Sequence, residues 1–126
     1  MFDSINIPYG TVMLFNIVKL RKDVQFADVE LAVGDMCNTV KNTYGNDTGG
    51  FIAGQVFRFS GFASKEGSLN LDPVDDHVAI VTYWNSFDLH EHSHADEAFR
   101  SKFEALTALC EDSRELGYTM LWQGNK

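Results

Sequence analysis

A chain of 126 residues with 44% hydrophobic and 22% charged side chains has ordinary globular composition and room for one core, which excludes a disordered or collagen-like chain. Folding at this length buries about two thirds of the unfolded surface, so neither a metal nor a disulfide is needed as a staple. Ten basic residues against eighteen acidic ones leave a net charge of -8, which opposes a nucleic-acid partner, because such binding rests on basic side chains displacing phosphate counterions.

No run approaches the ~18 consecutive apolar residues of a membrane span, and residues 1–10 carry Asp3 with no basic residue ahead of an apolar run. One cytoplasmic domain over residues 1–126 is therefore expected. Tyr9–Leu20, ending in TVMLFNIVKL, predicts the first strand. Asp23 is the expected cap of a helix whose apolar stripe is Phe26, Val29, Val33, Met36 and Val40. Gly45 should end it in the left-handed conformation. Phe51–Phe62 predicts a second strand, Ser64–Asp76 a long polar connection, and His77–Trp84 a third strand. Ser86 opens a helical turn. Ser93 starts a longer helix carrying Phe99, Phe103, Leu106, Leu109, Cys110 and Leu116 and stopping at Gly117, and Tyr118–Gln123 predicts the fourth strand. Cys37 and Cys110 then both fall on helices and read as core thiols.

The order β-α-β-β-α-β predicts an α+β, ferredoxin-like domain, a four-stranded antiparallel sheet with two helices on one face. In the first strand Met13, Phe15 and Ile17 oppose Val12, Leu14 and Val18, and in the third Ala79, Val81 and Tyr83 oppose Val78, Ile80 and Trp84. Both sheet faces are apolar, where a sheet with one wet face would alternate apolar with polar. Two helices cover one face, so a second copy of the sheet is expected on the other, making a homodimer.

The stretch TYWNSFDLHEHSHADEAFRSKFEAL, through Trp84, Ser86, His90, Ser93, Phe99 and Phe103, resembles the strand-to-helix signature of dimeric α/β-barrel proteins, including the antibiotic biosynthesis monooxygenase group. The resemblance implies a cofactor-independent monooxygenase acting on a small hydrophobic aromatic or polyketide-like compound, which activates oxygen itself once deprotonated. It also implies a dry pocket with Asn16 and Trp84 as its polar and indole groups. Haem-degrading relatives carry a further Trp and His where this chain has Ser93 and Phe103, which disfavours that reaction.

Several side chains could carry chemistry. His90, His92 and His94 lie in DLHEHSHADE, and His90 and His94 share a helix face at i and i+4. One of these two is the expected proton acceptor at a pocket mouth. With Asp88, Glu91 or Asp96 the pair could instead hold a metal ion, against which stands the plain reading of an exposed or capping histidine cluster. Asn16, the one polar residue of an apolar strand, either binds a ligand oxygen or satisfies a neighbouring strand. Trp84, Tyr83, Phe15 and Arg58 complete the expected pocket, Tyr83 as a proton donor and Arg58 as a clamp for an anionic group if it points inward rather than pairing with an acid. No cofactor is expected. The other reading of the same pocket is a non-catalytic binder of an apolar or acyl molecule. The third strand has no RNA-binding pattern, and C-x-x-C, G-x-G-x-x-G, Walker and G-x-S-x-G motifs are all missing, so metal-chaperone, nucleotide and serine-hydrolase chemistry have no support.

Overall fold

The computed structural model describes residues 4–45, 49–94 and 97–126, except the side chains of Ser93 and His94. Its elements are β1 (Val12–Leu20), α1 (Phe26–Tyr44), β2 (Phe51–Arg58), β3 (Val78–Trp84), α2 (Phe87–His94), α3 (Glu97–Thr107) and β4 (Cys110–Thr119). All strand pairs are antiparallel in the order β2-β3-β1-β4, the ferredoxin-like arrangement expected from the element order.

Alternation along the strands sorts the two faces. Leu14, Asn16 and Val18 of β1 and Val78, Ile80 and Trp84 of β3 are buried towards the helices. The α1 stripe Val29, Val33, Met36 and Val40, continued by Tyr44, packs on them, and α3 adds Phe99 and Leu106. Each such apolar side chain contributes about 1.5–3 kcal/mol by leaving water. On the opposite face Phe15 pairs with Val81 and Leu116, and Met13 with Tyr83 and Tyr118. The Phe15 and Tyr118 rings meet edge to face at 6.2 Å. Both faces are apolar, as the strand pattern predicted, and within one protomer Phe57, Leu116 and Tyr118 of the outer face stay exposed.

The element boundaries depart from the expected ones in several places; Ser93, the expected start of the last helix, lies inside α2, and β1 begins at Val12 rather than Tyr9. Helix α1 is capped at Gln25, not Asp23, because the Gln25 side chain and Asp28 form a reciprocal capping box. Gly45 ends the helix at φ -80°, donating to the Lys41 carbonyl, and the left-handed residue is Gly50 at φ +80°. Strand β2 stops at Arg58, and Phe59 then donates to the His77 carbonyl at the mouth of the long connection.

The largest correction concerns the last third of the chain. The expected long helix to Leu116 ends at Thr107, and β4 begins at Cys110, so Cys110 is a strand residue and Gly117 lies inside the strand. CEDSRELGYT has a charged, helix-compatible composition, but nine of its residues take partners along β1 from Val12 to Leu20. Edge pairing overrides local propensity here. Trp122 consequently lies beyond the sheet, 81% exposed, rather than on a closing strand.

Candidate functional site

Helix α2 brings a histidine onto the helix-facing side of the sheet. The Ser86 hydroxyl accepts from the Leu89 amide at 3.2 Å, the expected start signal, and the His90 amide donates to the Ser86 carbonyl. Two glycines let this short helix sit low. A Cβ on Gly117 of β4 would stand 2.8 Å from the Phe87 ring, and one on Gly50 would stand 2.5 Å from Leu89. With Phe87 seated on Gly117, the next turn of α2 delivers His90 to Glu115, two residues back along β4.

His90 is 3% exposed. Its Nε2 lies 3.3 Å from Glu115 Oε1, and its Nδ1 lies 3.3 Å from Glu91 Oε1. The carboxylates differ in setting: the Glu115 side chain is 27% exposed, that of Glu91 71%. The imidazole edge packs against Trp84 at 5.2 Å between ring centroids. Trp84 is wholly buried among Tyr44, Phe51 and His90, and its indole N–H donates to Thr82 Oγ1 at 3.0 Å. Asn16 is the register partner of Glu115 on the adjacent strand, which sets their Cα atoms about 5 Å apart. Its amide donates to the Ile80 carbonyl at 3.2 Å. Trp84, His90, Glu115 and Asn16 thus form a continuous line across β3, α2, β4 and β1.

The expected residues therefore divide. Asn16, Trp84 and His90 share the helix-facing side. Phe15 and Tyr83 do not join them, because both belong to the outer face, where the Tyr83 hydroxyl donates to Gln55 Oε1 at 3.2 Å. Arg58 is also elsewhere. It pairs with Val78, six residues along β3 from Trp84 or about 20 Å, and its guanidinium lies over the Phe26 ring and bonds to Asp76 at 3.0 Å. The His94 side chain lies outside the described residues, and His92 is exposed. Glu115 was missed because it sits in the segment expected to be helical. Only its place two residues before a glycine in a possible edge strand could have singled it out.

Chemically, a buried imidazole between two carboxylates can pass a proton. Its Nδ1 is near Glu91 but not hydrogen-bonded to it; the neutral ring holds one N–H and offers the other nitrogen as a base. One ligand atom each from His90, Glu91 and Glu115 falls within 4.8 Å of the others, so the same set could hold a divalent ion. Two surface depressions, lined by Asn6, Ile7 and 123–125 and by 58–61, Val74 and Asp76, involve none of these side chains. Among the described residues no helix is long and apolar enough to cross a membrane.

No known family profile and no curated protein sequence matches the chain. Solved structures do. SnoaB, a cofactor-independent oxygenase from Streptomyces nogalater, superposes with a TM-score of 0.65 at 18% identity over 90% of this chain and 96% of its own. A dimeric ferredoxin-like protein of unknown function from Thermobifida fusca gives 0.62 at 11% identity over 94% of this chain and all of its own. Hydroxynitrile lyase from Passiflora edulis gives 0.68 at 9% identity, with the same coverage. At these identities the likeness is one of fold alone, the ferredoxin-like fold that the element order predicted.

Proposed function

We propose that the chain is a cofactor-independent oxygenase acting on a small, electron-rich aromatic or polyketide-like compound, working as a cytoplasmic single-domain protomer paired with a second copy through the outer sheet face. The observation that carries the reading is His90, buried against Trp84 with a carboxylate at each ring nitrogen. A fold shared with an oxygenase that uses no cofactor supports it, although the same fold also hosts a lyase, so the site and not the fold must bear the argument.

In this reading His90 takes a proton from a CH2 group flanked by aromatic rings. The carbanion adds dioxygen to give a peroxide, which recovers the proton from His90. Loss of water then leaves a carbonyl, so one CH2 and one O2 become one C=O and one H2O. Burial excludes bulk water, which would reprotonate the carbanion. Asn16 and Trp84 contribute an amide and an aromatic wall beside the reacting group. Oxygen uptake with a panel of dihydroxyaromatic substrates that carry a CH2 between aromatic rings tests this. His90→Ala should lower the rate by about 100-fold or more. Uptake unchanged in that variant, or no uptake by the wild-type chain, overturns the proposal.

A second reading, a binder that encloses an apolar or acyl molecule without chemistry, is favoured by the cover over His90, which leaves it 3% exposed. Mass spectrometry of an organic extract separates the two: a stoichiometric apolar compound co-purifying with a chain inert to oxygen supports the binder.

A further inference from the structure

We infer that Glu115 is the positioning residue of the site: it holds the Nε2–H of His90 and leaves Nδ1 as the nitrogen that accepts the proton. This rests on the proposed function for its catalytic meaning, but the tautomer is a property of the resting protein.

Both carboxylates stand at 3.3 Å from the ring, so distance does not choose between them. Hydrogen-bond geometry, anchoring and mobility do: the buried Nδ1 makes no hydrogen bond to Glu91. Glu115 is fixed to β4, paired to β1 through the Asn16 register, and its side chain is 27% exposed. Glu91 follows His90 on α2, and its side chain is 71% exposed. A largely hydrated carboxylate on a helix surface loses little by swinging into water, whereas a half-covered one on a paired strand keeps its partner. When the ring is neutral it has one N–H to give, and Glu115 is the acceptor held in place to take it. Nδ1 then carries the lone pair, with no hydrogen bond to Glu91 to break before it accepts a proton. The two glycines let α2 sit this close, because a Cβ at 117 would crowd the Phe87 ring and one at 50 the Leu89 side chain.

His77 supplies an internal contrast. Its Nδ1 lies 2.8 Å from the Asp75 carbonyl, which can only accept, so His77 carries Nδ1–H. Nitrogen-15 ring spectra of the uniformly labelled full chain, recorded where the rings are neutral, should show His90 as the Nε2–H tautomer and His77 as the Nδ1–H tautomer. In Glu115→Leu the His90 signals should move to a mixture of tautomers, while Glu91→Gln leaves them in place. Glu115→Gln, which keeps an acceptor, should restore the wild-type tautomer. With an oxidisable substrate, Glu115→Leu should lower kcat by about 10- to 100-fold with KM moved less than about threefold, and Glu115→Gln should recover part of it. Wild-type His90 carrying Nδ1–H, or a tautomer that follows Glu91 and not Glu115, overturns the inference even if Glu115→Leu unfolds. The expected tautomer in a chain inert to oxygen supports the Glu115 assignment and overturns the oxygenase instead.

Discussion

At the residue scale the two thiols show what burial does to a reactive group. Cys37 lies on α1 against the core, and burial pushes its thiol above the ordinary range; burial raises Cys110 as well, with Arg21 nearby acting weakly the other way. The Cys110 thiol also donates to the Leu106 carbonyl at 3.1 Å. A thiol held neutral is a poor nucleophile. Disulfide-exchange reagents at about pH 8 should therefore modify the native chain slowly and the denatured chain at once. Rapid stoichiometric labelling of both thiols in the native protein would contradict the packing described. Trp84 is the other residue whose environment decides its part. With its ring among Tyr44, Phe51 and His90 and its N–H satisfied by Thr82, it is core and site wall together. Replacing it would cost about 3–5 kcal/mol, so loss of activity in such a variant says nothing about chemistry until folding is checked.

Among the elements, α2 is the one whose placement makes the site, and the glycines beneath it are not equivalent. Gly50 has φ +80° and would press a Cβ to 2.8 Å from Leu89 Cβ, close to the backbone of α2. Gly117 has ordinary strand geometry, and what it would meet is the edge of the Phe87 ring, which is 38% exposed and free to turn outward. Gly50→Ala should thus destabilise by about 1–3 kcal/mol, and Gly117→Ala by less than about 1 kcal/mol while weakening the His90–Glu115 contact. Thermal melts of the two variants check the order, and equal melting temperatures would refute it. The long connection between β2 and β3 is clamped at its foot by Lys19 and Asp75, 2.7 Å apart. The hydrogen bond and charge of Lys19 hold the Asp75 carboxyl below its usual range, and Asp75 raises Lys19. For a carboxyl with a depressed folded value, the stabilisation is present above the ordinary carboxylate range and is lost as pH falls through the lowered value. On the alkaline side it is lost only as pH rises through the raised Lys19 value. Both groups are exposed, so salt should screen the pair. Exchange of the Phe59 amide, bonded to the His77 carbonyl at 2.9 Å, should speed up on acidification once intrinsic rates are divided out. A flat response would show that the ion pair does not hold the loop.

The whole molecule is organised by a sheet with two apolar faces and helices for only one. Phe57 and Leu116, 51% and 36% exposed in the protomer, lie on the uncovered side with Phe15, Val81 and Tyr118. Sedimentation at micromolar concentration should give a dimer for the native chain and a monomer for the Phe57→Glu, Leu116→Glu double variant, since each charge would have to be buried without a partner. A native monomer, or a double variant that still pairs, would remove the second copy from the proposed function. The net charge of -8 does not oppose the proposed pairing, because the charges lie largely on helices, loops and the β4 edge rather than on this face.

The first two thirds of the fold were legible because their signals are local. An apolar stripe at helical spacing in α1, β-branched and aromatic runs in β1 and β3, and the Ser86 cap each declare themselves within a dozen residues. The second apolar face was legible too, since alternation along a strand is fixed by the pleat. Strand β4 was not, because CEDSRELGYT carries no alternation of its own and becomes a strand by pairing with β1. The site inherits that division. The amino-acid sequence marked His90 and His94 alike and Asn16 as a polar residue in an apolar strand, while Trp84 entered through the family resemblance. Pleat alternation alone already set Phe15 against Asn16 and Tyr83 against Trp84; only the tertiary structure set Arg58 apart and placed Glu115 beside His90, because which side chains meet across a sheet depends on register and on how closely a helix can approach.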